Sequence, residues 1–266
     1  MSENRQIDIM GIVNLTDDSY FPDSRCATAS EAIERILHLC KEGATIIDIG
    51  ACSTRPGSDP IGVQEEWRRL EPVLTVIKRD FPHLHISVDT YWSEIVRRAY
   101  DLIGSFMVND ISAGEDDSLM LQTVGNLGLE YVAMHKRGTP KTMTGLTDYE
   151  DVTREVLNYF EDFSLKASDY GIKGWILDPG FGFAKTIDQN YELLRHLDKF
   201  KVSGRKILVG VSRKSMIYRK FDISPEESLP ATQVLHLKAL QNGADILRVH
   251  DVAEAVRTVS LYQMLS

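Results

Sequence analysis

Eight short apolar runs, each closing on a polar residue, alternate with helical patterns along 266 residues, with no linker, low-complexity tract or charge block between them. The alternation, the near-continuous apolar character of the runs and a length close to the ~250 residues of such a domain predict an α/β fold, a (β/α)8 TIM barrel forming a single domain. That domain is expected to span residues 1–266. A doubly wound open sheet is the competing arrangement. It is weakened because no glycine fingerprint of the dinucleotide-binding kind follows the first run.

Residues 7–13 read as the first strand, ending on Asn14, and a polar loop runs on to Thr28. Thr28-Ala29-Ser30-Glu31 has capping-box spacing, and Ala32, Ile33, Ile36, Leu37 and Cys40 then recur at helical spacing until Gly43 stops the helix. The second strand, 45–49, opens into residues 50–58, too rich in glycine, proline and hydroxyls to be helical. A helix over 63–81, a strand over 86–88 ending on Asp89, a helix over 92–101 and a strand over 106–108 ending on Asn109 and Asp110 follow. A less periodic helix, 118–126, leads to the fifth strand, 131–134, a loop over 135–147 and an amphipathic helix over 149–170. In the sixth strand Ile176 and Leu177 stop abruptly on Asp178, and Pro179 to Lys185 turn irregularly before Thr186 restarts a helix reaching about Phe200. The seventh strand, 207–211, ends in Ser212-Arg213-Lys214-Ser215. The seventh helix, 226–242, takes Ala231, Val234, Leu235, Leu237 and Ala239 as its apolar positions, and a strand over 246–250 and a helix over 252–265 close the chain.

Hydrophobic content of 43%, with 26% charged and 8% aromatic residues, is that of a globular chain able to bury a large core. A net charge of −9 and a pI near 5.3 disfavour a nucleic-acid surface. Cys26, Cys40 and Cys52 have no CxxC spacing and no ligand cluster beside them, so neither a disulfide framework nor a zinc site is indicated. They fit a reducing compartment. The polar N-terminus runs directly into a strand, and no apolar run approaches the ~20 residues that span a bilayer, so a cytoplasmic protein with no membrane association is expected.

In a barrel the C-terminal ends of all strands open on one face. Asn14, the loop Ser53-Thr54-Arg55, Asp89, Asn109, Asp178, Ser212-Arg213-Lys214, Arg248 and His250 would therefore converge. Singly, each reads as a strand-end cap or a rim ion pair; jointly they describe a site for a polar heterocycle with an anionic tail. Asp89, Asn109 and Asp178 can donate and accept in one plane, as the edge of an aminopyrimidinone requires, and Lys214 can bond a ring carbonyl or nitrogen. Arg55, Arg248 and His250 suit a phosphate or pyrophosphate, and Asn14 offers a neutral oxygen to Mg2+. The turn after Asp178 first suggests a glycine loop cradling phosphate. With other groups available for the anion, Asp178 is assigned to the ring.

Gly11-Ile12-Val13-Asn14-Leu15-Thr16, Asp48-Ile49-Gly50 with Ser53-Thr54-Arg55-Pro56-Gly57, Ser87-Val88-Asp89-Thr90, Asn109-Asp110-Ile111, Met134-His135, Asp178-Pro179-Gly180-Phe181-Gly182-Phe183, Gly210-Val211-Ser212-Arg213-Lys214-Ser215 and Arg248-Val249-His250-Asp251-Val252 strongly resemble the dihydropteroate synthase family. The resemblance runs from the first strand to the eighth and implies a homodimeric, sulfonamide-targeted transferase of folate synthesis that uses Mg2+. Such an enzyme joins 6-hydroxymethyl-7,8-dihydropterin diphosphate to 4-aminobenzoate and releases pyrophosphate. Carried onto matching positions, it implies pterin binding by Asp89, Asn109, Met134, Asp178 and Lys214, and diphosphate binding by Asn14 (through the metal), Thr54, Arg248 and His250. It further implies aminobenzoate binding by Thr54, Arg55, Pro56, Phe183, Ser212 and Lys214, with Lys214, Arg248 and His250 as the catalytic set. Two departures stand out: Asp17 where the family usually has Pro, and Cys52 where Glu is common. The loops 15–27 and 50–62 are expected to be mobile and to close over the site, with Tyr20 and Phe21 as shields. A pterin-dependent methyltransferase on the same barrel and a non-catalytic pterin binder are the rival readings.

Overall fold

The apolar runs pair side by side in parallel, as strands buried on both faces must. In a computed structural model that describes residues 5–15, 26, 28–52, 61–139 and 141–266, the strands are β1 (Asp8–Asn14), β2 (Ile46–Gly50), β3 (Ile86–Asp89), β4 (Met107–Asp110), β5 (Glu130–Met134), β6 (Trp175–Asp178), β7 (Leu208–Val209) and β8 (Ile246–Val249). They form one eight-stranded parallel sheet in the order β6-β5-β4-β3-β2-β1-β8-β7. An isolated parallel bridge between Leu177 and Ile207, with the Leu177 N–H donating to the Lys206 carbonyl at 2.9 Å, closes β6 onto β7. The predicted (β/α)8 barrel is therefore the fold.

Around the barrel run α1 (Ala29–Glu42), α2 (Val63–Asp80), α3 (Ser93–Ile103), α4 (Met120–Leu127), α5 (Val152–Asp169), α6 (Ile187–Arg195), α7 (Ser215–Phe221), α8 (Leu229–Gln241) and α9 (Val252–Leu265). The capping box at Thr28 and Glu31 is formed, and Gly43 ends α1 in the left-handed conformation that a residue without Cβ adopts at low cost. Thr186 and Gln189 make a second capping box at the start of α6.

The core has two parts. One fills the space between sheet and helices; the other is an apolar plug inside the barrel made by Met10, Ile46, Met107, Val132, Ile176, Leu208 and Ile246. The plug floors the open C-terminal mouth.

Four expectations change. The sixth helix ends at Arg195, and Leu197–Ser203 continues as a 3-10 helix. Leu194, Leu197 and Phe200 lie three apart, and a winding of three residues per turn keeps all of them buried. The seventh strand shrinks to Leu208–Val209, partly because the Ile207 N–H is taken by the Asp245 side chain at 2.9 Å. A ninth helix, α7, stands where the sequence reading has only loop; it lacks a side-chain cap and is seven residues long, too short for a periodic signal. Finally, Leu37 and Val234 point outward, whereas Leu39 in α1 and Thr232, His236, Ala239 and Leu240 in α8 are the buried positions.

Candidate active site

Side chains two residues apart on a strand share a face. Two residues beyond the plug members Ile46, Met107, Val132, Ile176 and Ile246 come Asp48, Asn109, Met134, Asp178 and Arg248, which places all five over the plug at the mouth. Ser87 and Asp89 of β3 join them through register, since Ser87 pairs with Asp48 and Asp89 with Asn109. Met134 of β5 stands opposite Asp178 of β6.

Asp48, fully buried, is the hub. It accepts from Ser87 Oγ at 2.6 Å, from Asn109 Nδ2 at 3.2 and 3.3 Å, and from Arg248 Nε at 2.7 Å. Arg248 Nη2 reaches on to Asp89 Oδ2 at 2.8 Å, so one guanidinium bridges two carboxylates. Burial works against the charge on Arg248, but Asp48 and Asp89 outweigh it and raise its pKa further. Burial, together with the neighbouring Asp48, holds Asp89 above the usual carboxylate range even with Arg248 beside it. Sequence reasoning quoted Asp48 in a motif without giving it a role. The two-residue step from Ile46 was the signal that would have found it.

Across the mouth, Asp178 Oδ1 accepts from the Gly180 N–H at 2.8 Å. Burial raises its pKa, while Lys214, that N–H, Arg248 and Lys185 offset part of the rise. Lys214 donates to the Phe181 carbonyl, and its Nζ lies 4.9 Å from the centroid of the Phe183 ring, a cation–π contact. Burial brings Lys214 down to about 8, with Asp178 opposing and Arg248 reinforcing the shift. Lys185, which the sequence reading left without a task, is fully inside; burial lowers its pKa to about 7 despite Asp178 nearby.

His250 lies just beyond β8. Its backbone N–H donates to Ser212 Oγ at 3.3 Å, and Ser212 Oγ lies 3.0 Å from Nδ1. The hydroxyl can accept from Nδ1–H or donate to a bare Nδ1, and the direction of this bond goes with the ring's tautomer. Burial, then Arg248 and Arg213, depress the His250 pKa to about 3. The ring is thus neutral when no anion is bound. Arg213, at φ 52, turns away to Asp251, held at 2.8 Å by both Nε and Nη2, and to the carbonyls of Pro225 and Glu226; it braces the fold.

Asn14 ends β1 opposite Gly50. Cys52 sits 3.6 Å from the Tyr91 hydroxyl, and burial raises its pKa, so the thiol is an unreactive packing group. Thr54, Arg55 and Pro56, with Asp17, Tyr20 and Phe21, lie outside the described residues. Among the described residues no group of three or more His, Cys, Asp or Glu side chains could hold a metal ion.

An arginine bridging two carboxylates, an amide, a third carboxylate and an ammonium seated on an aromatic ring offer hydrogen bonds beside a cationic corner. The model of the family described as pterin binding enzyme matches residues 10–250. The dihydropteroate synthase of Escherichia coli is 37% identical over 257 residues, covering 96% of this chain and 90% of its own length. The chain belongs to the dihydropteroate synthase family. Solved structures agree. The Yersinia pestis dihydropteroate synthase, in complex with a sulfonamide drug, superposes with a TM-score of 0.93 at 32% identity, over 98% of this chain and 94% of that one. The Xanthomonas albilineans dihydropteroate synthase, with 4-aminobenzoic acid, gives a TM-score of 0.89 at 35% identity, over 98% and 94%. Membership makes this chain an enzyme of the family's transferase type.

Proposed function

We propose that the mouth condenses 6-hydroxymethyl-7,8-dihydropterin diphosphate with 4-aminobenzoate to give 7,8-dihydropteroate and pyrophosphate, and that the residues divide this work by position. The observation that carries the reading is the meeting of Asp89, Asn109, Asp178 and Lys214 over one apolar floor, with Arg248 between the carboxylates. Asp178 accepts from the aminopyrimidinone edge, Asn109 and Asp89 take the ring nitrogens, Lys214 donates to the ring and Met134 forms the wall. Asp48 touches no substrate; it orients Arg248 and Asn109.

Charge moves from the pterin methylene carbon to the leaving diphosphate as their C–O bond breaks. Arg248 and His250 stabilise the leaving oxygens, which matters most in a buried site. Arg248 Nη1 has no protein partner among the described residues, so donors remain for an anion while Nε and Nη2 stay on the carboxylates. Asp89 and Asp178 stabilise positive charge growing on the ring. The arylamine nitrogen then bonds to the methylene carbon and its proton passes to water or to pyrophosphate; an aniline needs no dedicated base. Phe183, Ser212 and Lys214 are assigned to the aminobenzoate, together with Thr54, Arg55 and Pro56, and Thr54 also to the diphosphate.

The family implies Mg2+. This cation is commonly held by one or two protein oxygens plus substrate phosphates, and a single neutral amide at Asn14, with no acidic cluster beside it among the described residues, fits a cation that arrives with the diphosphate. When bound, Mg2+ neutralises charge on the leaving group. A homodimer and a cytoplasmic location belong to the same proposal. Exposed apolar side chains on α8 and α9, Val234, Leu261, Met264 and Leu265, support the first, and three free cysteines the second. No helix among the described residues is long and apolar enough to cross a membrane.

The deciding assay is pyrophosphate release with each substrate alone, with both, and with both after chelation of Mg2+. Release only with both substrates and the metal is expected. Tight pterin binding with no release would move the chain to the non-catalytic reading.

A further inference from the structure

Lys185 ends the turn after β6, and no substrate contact assigned above uses it. Its Nζ lies 3.0 Å from the Gly180 carbonyl, 3.0 Å from the Phe183 carbonyl and 3.0 Å from His135 Nδ1. The His135 carbonyl stands farther off, at 3.5 Å, so Nζ is surrounded by acceptors for every proton it carries. His135 follows β5 directly, so the same nitrogen ties the β6 turn to the end of the neighbouring strand. Burial, with Lys185 and Arg137 nearby, pushes the His135 pKa to about 2, which leaves a neutral ring able to accept at Nδ1.

The backbone here is tightly constrained. Gly180 has φ +72, and a Cβ there would come within 1.9 Å of the His135 carbonyl oxygen. Ala184, between Phe183 and Lys185, stands at φ 48, a conformation that costs a non-glycine residue about 1 kcal/mol. Such a turn persists only when its surroundings over-determine it. The Phe183 ring in turn carries the Lys214 ammonium. The Gly180 N–H on Asp178 Oδ1 belongs to the clipped turn, but Asp178 has backbone supports that Lys185 does not supply: its pairing with Met134, and its carbonyl accepting from the His135 N–H at 3.0 Å.

We propose that Lys185 is a positioning residue for the arylamine subsite: its amino group fixes the backbone of Phe183, and so sets the aromatic wall of that subsite. This rests on the assignment of Phe183 to the aminobenzoate. Because Asp178 has its own supports, loss of the clip falls on one substrate more than on the other.

The test is steady-state kinetics on the full chain, beginning with wild-type pyrophosphate release. Lys185→Met is expected to raise KM for 4-aminobenzoate about tenfold, while KM for the pterin diphosphate stays within about twofold and kcat within about threefold. Lys185→Arg keeps the charge but presents a planar fork that cannot serve three acceptors around one atom, so the same selective rise is expected if the methionine variant fails to fold. Phe183→Ala completes a double-mutant cycle. If Lys185 acts through Phe183, the double variant is no worse for 4-aminobenzoate than Phe183→Ala alone. Equal rises in both KM values, or additive effects in the cycle, would overturn the proposal while wild-type turnover left the reaction standing.

Discussion

Removing one acceptor oxygen from Asp48 would leave Arg248, Asn109 and Ser87 competing for the other. In Asp48→Asn the new NH2 faces donors and the buried guanidinium keeps only Asp89 as a carboxylate partner, a break that costs about 3 kcal/mol. Urea denaturation should show a loss of that order, and kcat/KM should fall by about a hundredfold even in the folded fraction, because Arg248 loses its orientation. Asp178→Asn is the contrasting case, since it alters a group assigned to the ring itself. Calorimetry should show weaker binding of a pterin lacking the diphosphate, and unchanged affinity would return that turn to a purely structural role. Glu66 behaves differently again. Among the described residues neither of its oxygens makes a hydrogen bond of sound geometry, and burial raises its pKa from 4.5 to about 7, with the nearby Thr90 hydroxyl and Arg69 offsetting only part of the rise. Between those values the folded state holds a proton that the unfolded state has lost, so stability falls as pH rises from 4.5 through 7. Glu66→Gln should therefore match the wild type near pH 4.5 and exceed it by roughly 2 kcal/mol at pH 8; a constant difference at both pH values would sink this reading. Positions at the mouth were legible where a polar side chain ended its strand, as at Asp89 and Asp178. Asp48 escaped because β2 runs on to Gly50, so a search for strand ends passed over the inward-facing carboxylate two residues earlier. Glu66 and Lys185 escaped because a charged residue on a helix or in a turn reads as solvated until its burial is known.

Arg213 shows how one side chain holds several elements together. It fastens the turn after β7 to Asp251 at the head of α9 and to the two carbonyls that precede α8. Arg213→Met would leave Asp251 buried and unpaired, and a drop in Tm of several degrees is expected from the roughly 3 kcal/mol such a break costs. A variant with wild-type Tm would show that the carbonyl contacts are dispensable. Helices with capping boxes and a clear apolar stripe, such as α1, were legible nearly to the residue. α7 was not, because a helix of seven residues without a side-chain cap owes its existence to the packing of Met216 and Ile217. The face of α8 was illegible for another reason: apolar residues surround it, and only the partner elements decide that His236 goes in and Val234 out.

The alternation of strand and helix specified the whole barrel, yet it could not say that the ring is unevenly closed. Seven neighbouring pairs form ladders, whereas β6 meets β7 through a single bridge. Hydrogen exchange followed by mass spectrometry should find the amides at 206–209 exchanging before those of β1, β2 and β8, since opening there breaks the fewest backbone bonds; uniform protection around the ring would contradict it. The bridge lies between the strand that carries Asp178 and the strand that leads to Ser212 and Lys214. On one side stands the mutually braced group of Asp48, Asp89, Asn109 and Arg248, carried by three consecutive strands, β2 to β4, and by β8. The mouth is accordingly stiff around one substrate and compliant toward the other. A ligand slightly too wide on the arylamine side can be accommodated by spreading a seam, while the same excess on the pterin side must deform a continuous hydrogen-bonded wall. Tolerance to substituted arylamines and intolerance to enlarged pterins would be the mechanical signature of that asymmetry.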